Sequence, residues 1–338
     1  MTKRKRKFLQ YLKWIRNKQL KIEKQKRRKN KRGAHRHFNT GLRYAKDKIV
    51  IVFPEIIDLY NQKKCEETLN FFNREYNDLE KYKDGVIFNF SNVKEITLSG
   101  GILIRCFYDF LISKHTSIKC NSIKRDKIMQ ILFHIGVLKD RNIIVTHKDI
   151  SRWTIQSWNG KELIRRKFNN ELISKIIETT TGWDELSMKH KRLYEVVPEI
   201  LYNCIQHAYA YNDDYSFQNF YLFSGIANRK YVFCVLDRGI GFKETYKIRL
   251  KGQLDFNNIE NDGDYIKYSI QTDNSSFKIP GRGNGLFTLK ENILNLKGAI
   301  FIHSYTGKIT VSTQKGEIQS ENRYPLLGSL VQFEVPIS

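Results

Sequence analysis

The sequence predicts an α/β protein in which two folded units follow a basic N-terminal arm. Lys and Arg residues are concentrated before residue 49, and strand-like runs alternate with helix-like runs after it. A chain of 338 residues is long enough for about two domains. We expect the arm over 1–46, a small α/β domain over 47–150, a connector over 151–184 and a second α/β domain over 185–338.

The composition excludes several classes of protein. Hydrophobic residues make up 41% and charged residues 28% of the chain, a balance typical of sequences that fold. No apolar run approaches the roughly 20 residues of a membrane-spanning helix, and the N-terminus lacks the apolar core of a secretory signal. The five cysteines lie in apolar surroundings without C-x-x-C spacing, which is typical of buried thiols in a reducing compartment. We therefore expect a cytoplasmic protein without a transmembrane segment.

The basic arm carries most of the charge. Residues 1–48 hold 20 Lys or Arg residues against Glu23 and Asp47, so they contribute +18 of the formal net charge of +24. Apolar residues are interleaved with these charges, which favours either an amphipathic helix or a disordered arm. Nucleic-acid binding through residues 1–38, docking on a protein partner, a solubilising role and contact with an anionic membrane all fit this pattern.

The first folded unit alternates strands and helices. Apolar residues after Asp47 predict a strand, and the run 85–90 predicts another that is apolar on both faces, as in a central strand. Between them, an apolar stripe at helical spacing predicts a helix over 61–83. The turn at 97–101 leads into a further helix. Weaker patterns predict a strand over 118–120, a helix over 123–137 and a strand over 142–145.

The second folded unit is predicted to begin with a helix and to end in a sheet. Polar stretches and glycines separate its helical and strand-like patterns. The predicted order is a helix over 188–209, strands over 219–227 and 230–236, a long polar stretch over 243–280, a helix over 285–297, and strands over 299–304, 308–312 and 329–335.

One predicted helix carries three polar side chains on a single face. Glu199, Asn203 and His207 are spaced i, i+4 and i+8, so they lie in a row. A carboxylate, an amide and an imidazole are costly to bury unless they meet a ligand, a metal ion or water. The alternatives are a surface carboxylate for Glu199 and simple packing for His207.

Two glycine-rich turns follow this helix. Asp237 ends an apolar strand and is followed by Gly239 and Gly241, which allow the backbone to turn tightly against a ligand. The second turn leads into a helix whose free N–H groups can bind an anion, and two cations add positive charge there. The residues of this second turn are Lys278, Gly281, Arg282, Gly283 and Gly285.

The ordered set of these motifs, completed by the run 328–336, resembles the GHKL (Bergerat-fold) ATP-binding family. This family includes gyrase, MutL, heat-shock chaperones, histidine kinases and anti-sigma-factor kinases. The resemblance covers residues 185–338 and implies an α/β sandwich with a mixed sheet, in which ATP lies between the helices and one end of the sheet. It also implies a mobile lid over 243–280.

The resemblance implies roles for individual residues. Asn203 is implied to hold Mg²⁺, Asp237 to bind the adenine amine, and Ser329 to place a hydroxyl where relatives carry threonine near adenine. Gly239 and Gly241 are implied to line the adenine pocket, Gly281, Gly283 and Gly285 to wrap the phosphates, and His207 to contact the nucleotide. Glu199 takes the position of the general base, which activates water in ATPases and assists an attacking hydroxyl in serine kinases.

Two further resemblances narrow the expected function. The run from Glu199 to Tyr209 looks most like the anti-sigma-factor serine kinases, because it ends in His-Ala-Tyr. Residues 86–100 look like the core of a STAS domain, the fold of the antagonists that such kinases phosphorylate. Ser99 stands at the position of the phosphoacceptor in those antagonists, although the preceding Asp is missing. Ser99 as a helix cap is the alternative.

Taken together, these features predict an ATP-binding switch protein with Mg²⁺-dependent ATPase or serine/threonine protein kinase activity. Water, Ser99 or a partner protein is the expected phosphoacceptor. The expected partners are another protein and a second copy of this chain. The alternative function is a nucleic-acid-binding regulatory or defence module, in which ATP binding is structural and the basic arm grips DNA or RNA.

Overall fold

The computed structural model describes residues 49–77, 82, 85–114, 116–121, 123, 125–139, 154–159, 200, 219–227, 229–249, 261–271 and 285–336. The described residues from Val50 onward form one compact unit. Within these ranges, every helix is too short or too polar to cross a membrane. The basic arm and the predicted helix 188–209, apart from Ile200, lie outside the described residues.

The N-terminal lobe, defined here as residues 49–139, is α/β as predicted. Strands β1, β3 and β5 form one sheet in that order, in which β3 and β5 are parallel, and the short strands β2 and β4 form a second parallel pair. The elements are β1 (Ile49–Val52), β2 (Ile56–Ile57), α1 (Gln62–Asn77), β3 (Val86–Asn89), β4 (Glu95–Ile96), α2 (Leu98–Ser113), β5 (Ile118–Cys120) and α3 (Asp126–His134).

Aromatic rings fill the core of the N-terminal lobe. The ring of Phe53 stacks on that of Phe90 with centroids 4.3 Å apart, and it lies 5.0 Å from Phe71 and 5.1 Å from Phe88. These residues come from α1, from β3 and from the segments that follow β1 and β3, so their burial joins the helix to the sheet. The apolar stripe and the two-faced strand seen in the sequence are therefore both explained by this core.

The C-terminal lobe, defined as the described residues from 154 to 336, contains a five-stranded sheet in the order β6-β7-β8-β10-β9. Helices α5 and α6 pack on one face of this sheet. The elements are β6 (Thr154–Asn159), β7 (Asn219–Ala227), β8 (Lys230–Asp237), α4 (Gly241–Arg249), α5 (Asp262–Gln271), α6 (Gly285–Asn295), β9 (Ala299–Ser312) and β10 (Gly316–Pro336).

The five-stranded sheet differs from the predicted mixed sheet, because all four of its strand pairs are antiparallel. Short turns join β7 to β8 and β9 to β10. Two strands joined by a short turn pair antiparallel, because parallel pairing needs a long crossover connection. Strands β9 and β10 are also longer than predicted. They form one hairpin whose register shifts twice between Glu321 and Ser329, so no simple alternation of apolar and polar residues marks it in the sequence.

Two segments of the C-terminal lobe have roles that the sequence does not predict. Strand β6 lies in the predicted connector, yet it pairs along its whole length with β7 and extends the sheet. Helix α5 lies in the predicted lid, yet Ile266 and Ile270 are buried in the core beneath it. Residues 243–249 of α4 and the whole of α5 thus fall within the predicted lid, and its segments 250–260 and 272–280 lie outside the described residues.

The N-terminal lobe packs on the face of the five-stranded sheet opposite to α5 and α6. The Tyr60 ring lies 4.9 Å from that of Phe301, and the Tyr60 hydroxyl donates to Glu334 Oε1 at 3.3 Å. Asn73 in α1 donates through Nδ2 to the carbonyl oxygen of Pro325 at 2.8 Å. The sheet is therefore the middle of three layers, with helices on one side and the N-terminal lobe on the other.

Buried polar groups accompany this lobe contact. Lys308 donates through Nζ to the carbonyl oxygen of Tyr60 at 2.7 Å, and burial lowers the pKa of its amino group. His303 is fully buried, and its Nε2 lies 2.9 Å from the Asn322 amide nitrogen. Burial, reinforced by the nearby charge of Lys308, lowers the pKa of His303 to about 3. His303 is thus neutral in the folded protein at ordinary pH.

We expect His303→Gln to flatten the dependence of stability on pH below 6.5. The pKa of His303 is about 3 in the folded chain, and its ordinary value of 6.5 applies in the unfolded chain. Between these values the unfolded chain binds a proton that the folded chain does not, so the free energy of unfolding rises with pH by up to about 1.4 kcal/mol per unit. Urea unfolding between pH 4.5 and 6.5 measures this slope. A slope that stays as steep as that of the matched control, His134→Gln, would contradict the prediction.

Candidate functional site

A row of three polar residues crosses the end of the five-stranded sheet. Asp237 ends β8, and the strand register places it opposite Ser329, which in turn lies opposite Ser304. The exposed fractions of the three residues are only 6%, 5% and 1%. The Ser304 and Ser329 hydroxyl oxygens are 3.1 Å apart. This polar row thus occupies three adjacent strands and is almost completely shielded from water.

The polar row lies on the face of the sheet that carries α5 and α6. Val235, Val331 and Ile302 belong to the core beneath these helices, and each lies two residues from a member of the row. Because side chains alternate between the faces of a strand, Asp237, Ser329 and Ser304 share that face. Ile200 is buried in the same core, so the residue directly after Glu199 contacts the same side of the sheet.

The turn after β8 is held tightly against the polar row. Asp237 Oδ1 accepts the N–H of Gly239 at 2.8 Å, and the N–H of Phe242 donates to Ser304 Oγ at 3.1 Å. Gly241 has a φ of +75°, and a side chain there would lie 2.6 Å from the ring of Tyr305. Gly241 is therefore required both for its left-handed backbone and for the close approach of α4 to β9.

Gly328 packs directly against the backbone of Asp237. Its φ is +111°, and a Cβ atom at this position would lie 1.9 Å from the Asp237 carbonyl oxygen and 2.7 Å from Arg238 Cα. Neither neighbour is the end of a flexible side chain, so neither can move aside without moving the strand. Gly328 thus fixes the position of Asp237 from the side of β10.

We expect Gly328→Ala to lower the free energy of unfolding by at least about 2 kcal/mol, because it combines backbone strain with a clash. Gly316→Ala is the matched control, since Gly316 also has a positive φ, +68°, but open space around it. The control is expected to cost about 1 kcal/mol, the strain alone. Denaturant unfolding of both variants gives the comparison, and equal losses would show that the contact with Asp237 is not restrictive.

Helix α6 begins at Gly285, the last residue of the second glycine-rich turn. Leu289 and Ile293 of this helix are fully buried against the sheet, and this burial fixes the position of the helix on the sheet. The first N–H groups of a helix have no partner within it and carry a partial positive charge. The start of α6 can therefore contribute to the binding of an anion, together with the residues that precede it.

The structure brings four of the predicted site residues together: Asp237, Gly239, Gly241 and Ser329. Gly285 is described at the start of α6. The other predicted site residues lie outside the described ranges; these are Glu199, Asn203, His207, Lys278, Gly281, Arg282 and Gly283. Among the described residues, no group of three or more His, Cys, Asp or Glu side chains has the arrangement of a metal site. The predicted Mg²⁺ ligand, Asn203, is not among the described residues.

Sequence reasoning did not single out Ser304. Its hydroxyl joins three parts of the site, since it lies within hydrogen-bond distance of Ser329 Oγ, the Phe242 N–H and the Gly328 carbonyl oxygen. The signal in the sequence is a serine that follows His303 at the end of the apolar run starting at Ala299. That signal is weak, because serine is common near strand ends.

Ser99, the predicted phosphoacceptor, is fully buried at the start of α2. The side chain that caps this helix is that of Thr97, whose Oγ1 accepts the N–H of Gly100 at 3.3 Å. The alternative role of Ser99 as the helix cap is therefore taken by Thr97. Ser99 Oγ lies 3.3 Å from Thr97 Oγ1, so transfer of a phosphoryl group to Ser99 requires the start of α2 to open.

A small cavity lies between the N-terminal lobe and the sheet, near Tyr76, Cys106 and Arg238. Its volume of about 20 Å³ is close to the minimum that holds one water molecule, so it is too small for a nucleotide. Burial raises the pKa of the Cys106 thiol to about 11, which makes it unreactive at neutral pH. Cys65, Cys106 and Cys234 are buried free thiols, as the sequence predicts, whereas Cys120 is partly exposed and Cys204 lies outside the described residues.

No family model matches the chain, and a search of curated proteins finds no match either. A function must therefore be inferred from the chemistry of the site. A buried carboxylate and two hydroxyls can accept and donate hydrogen bonds to a flat polar ligand. Gly241 lets the turn that follows Asp237 lie tightly against β9, next to these polar groups.

Proposed function

We propose that the C-terminal lobe binds ATP with Mg²⁺ and transfers the γ-phosphoryl group to water or to a protein hydroxyl. The protein would then be an ATPase or a serine/threonine kinase of the GHKL type. The observation that carries this proposal is the buried polar row of Asp237, Ser329 and Ser304, with Gly239 and Gly241 directly beside it.

The carboxylate of Asp237 suits recognition of the adenine base. An ionised carboxylate accepts a hydrogen bond from an exocyclic amine, and such charge-assisted bonds are roughly twice as strong as neutral ones. Asp237 is largely shielded from water, which strengthens the bond further. Its Oδ1 accepts the Gly239 N–H, and because a carboxylate accepts several hydrogen bonds, it would also accept one from the amine. The Ser329 hydroxyl, on the neighbouring strand, adds a second polar group at the base.

The start of α6 suits the phosphates. Backbone N–H groups at a helix start, with alternate glycines leading into it, form a site for an anion. Lys278 and Arg282 would add positive charge. Asn203 would hold the Mg²⁺ ion, and a bound Mg²⁺ ion would neutralise part of the phosphate charge. His207, one turn further along the same predicted helix, would contact the nucleotide or pack beside it.

Glu199 is proposed as the general base. Its spacing of four residues from Asn203 places it on the same helix face as the proposed Mg²⁺ ligand. A carboxylate at this place would accept the proton of the attacking water or hydroxyl, and it would orient that group in line with the γ-phosphorus. The burial of Ile200 beneath the helices of the C-terminal lobe supports a position of this segment near the site.

The N-terminal lobe is proposed to act as a partner domain within the chain. Its resemblance to a STAS domain and its place on the back of the nucleotide-binding sheet support this role. The burial of Ser99 favours water or a hydroxyl on another protein as the acceptor in the closed form of the chain. Ser99 itself would become an acceptor only when the start of α2 opens.

Incubation of the full chain with γ-labelled ATP and Mg²⁺ tests the proposed function. Label in free phosphate indicates hydrolysis, and label on this chain or on an added protein indicates a kinase. Binding of a fluorescent ATP analogue without any transfer supports the alternative, in which ATP acts structurally. Failure of the chain to bind the analogue at millimolar concentration overturns the proposal.

The second candidate function is nucleic-acid binding by the basic arm. The net charge of +18 over residues 1–48 favours it, because such a segment neutralises several phosphates and releases their counterions. The affinity for duplex DNA or RNA is then expected to fall steeply with salt, and deletion of residues 1–38 is expected to remove it. Retention of the affinity after this deletion would exclude the arm from binding.

A further inference from the structure

Arg238 connects the candidate site to the N-terminal lobe. It directly follows Asp237 at the end of β8, and its guanidinium carbon lies 4.2 Å from the ring centroid of Tyr76 and 4.8 Å from that of Phe110. Tyr76 belongs to α1 and Phe110 to α2. Consecutive residues at one strand end therefore reach opposite faces of the sheet: Asp237 lies in the polar row, and Arg238 contacts α1 and α2 of the N-terminal lobe.

The two rings that contact Arg238 are fixed by the core of the N-terminal lobe. The Tyr76 ring lies 5.0 Å from the ring of Phe107 and 5.1 Å from that of Phe110, both in edge-to-face contact. The Tyr76 hydroxyl also lies 3.8 Å from Cys106 Sγ. Arg238 thus rests on a rigid aromatic surface rather than on mobile side chains.

The backbone between Asp237 and Gly239 has little freedom to move independently of Arg238. Gly328 lies against the Asp237 carbonyl oxygen and against Arg238 Cα on one side. The Gly239 N–H is bound to Asp237 Oδ1 within the turn itself. A shift of the Arg238 side chain would therefore be passed to the Asp237 carboxylate.

We propose that Arg238 is a positioning residue through which the N-terminal lobe holds Asp237 in the geometry that binds the nucleotide base. This inference rests on the proposed function. Its consequence is a thermodynamic link: if docking of the lobe on Arg238 strengthens nucleotide binding, bound nucleotide strengthens the docking by the same factor. The N-terminal lobe then sets the nucleotide affinity without touching the nucleotide.

Nucleotide affinity in full-length variants tests the positioning role. Tyr76→Leu removes one of the two cation–π contacts of Arg238, and Arg238→Met removes both. Each variant is expected to raise the Kd for a fluorescent ATP analogue with Mg²⁺ by about 5- to 30-fold. Tyr76→Phe keeps the ring and is expected to keep the wild-type Kd. The double variant is expected to lose no more than Arg238→Met alone, since that variant already removes the contact with Tyr76.

The control variant Phe71→Leu separates positioning from general loss of stability. Phe71 is buried in the same aromatic core and contacts Phe53 and Phe72, but its cation–π partner is Arg74 and not Arg238. This variant is expected to lower the Tm as Tyr76→Leu does, and to leave the nucleotide Kd unchanged at temperatures well below the Tm.

Amide hydrogen exchange supplies a readout that needs no nucleotide. The Gly239 N–H is bound to Asp237, so it is expected to exchange faster in Tyr76→Leu and in Arg238→Met than in Phe71→Leu. Equal exchange rates and equal Kd values in Tyr76→Leu, Arg238→Met and Phe71→Leu would overturn the positioning role. If the wild-type chain still binds nucleotide in that case, the proposed function stands. A wild-type chain that binds no nucleotide would overturn both.

Discussion

Replacement of Asp237 by asparagine is expected to weaken ATP binding by about 10- to 100-fold, the cost of one charge-assisted hydrogen bond. Asparagine keeps an oxygen that accepts the Gly239 N–H. Its other atom, however, is an NH₂ donor, which would face the donor of the adenine amine. The loss is therefore expected in affinity rather than in folding. Titration of a fluorescent ATP analogue measures the affinity, and thermal unfolding checks the fold.

The matched control for this experiment is Asp58→Asn. Asp58 is also a buried aspartate, and its two carboxylate oxygens accept the N–H groups of Tyr60 and Asn61 in the N-terminal lobe. This variant is expected to lower the stability and to leave the nucleotide Kd near that of the wild type. If Asp58→Asn weakens binding as much as Asp237→Asn does, or if neither variant weakens it, Asp237 does not contact the base.

Replacement of Glu199 by glutamine is expected to slow phosphoryl transfer by about 10²- to 10⁴-fold, the usual contribution of a general base. Glutamine has nearly the same shape but cannot accept the proton of the attacking water or hydroxyl. The affinity for ATP is expected to stay within a few-fold of the wild type, because the proposed base contacts the attacking group and not the adenine. Release of labelled phosphate in single-turnover assays measures the effect.

The control for Glu199 is Glu195→Gln, one turn earlier in the same helical pattern. It carries the same change of charge and is expected to keep the wild-type rate. Transfer that persists at the wild-type rate in Glu199→Gln would remove Glu199 from the chemistry. Together with Asp237→Asn, this variant separates the two functions of the site, since one is expected to lose affinity and the other to lose rate.

The sequence located part of the candidate site because part of it is local. Asp237, Gly239 and Gly241 lie within five consecutive residues, and an apolar strand followed by an acid and two glycines is visible as a pattern. The positive φ of Gly241 agrees with the reason for which glycine was singled out there. Ser304 was missed because its partners come from the turn after β8 and from β10, and no local pattern records such contacts.

The predicted strands 299–304 and 329–335 do pair antiparallel, but the resemblance implied a mixed sheet and the predicted strands were incomplete for a related reason. Periodicity predicts that a segment is a strand, but it does not choose the neighbour of that strand. The register shifts in β10 hide its length, and β6 is separated from its partner β7 by 59 residues, from 160 to 218. Such long-range pairing depends on the whole core rather than on local preference.

The sequence by itself determined most of the segments that become helices and strands, although not β6, α4 or α5, and it determined which strand end carries the acid and the glycines. Local periodicity and the backbone freedom of glycine are sufficient for that. Only the tertiary structure decided that Ser304 completes the polar row, that the N-terminal lobe covers the back of the sheet, and that Arg238 rests on Tyr76 and Phe110. These contacts join residues far apart in the chain, so they form only when the whole core packs.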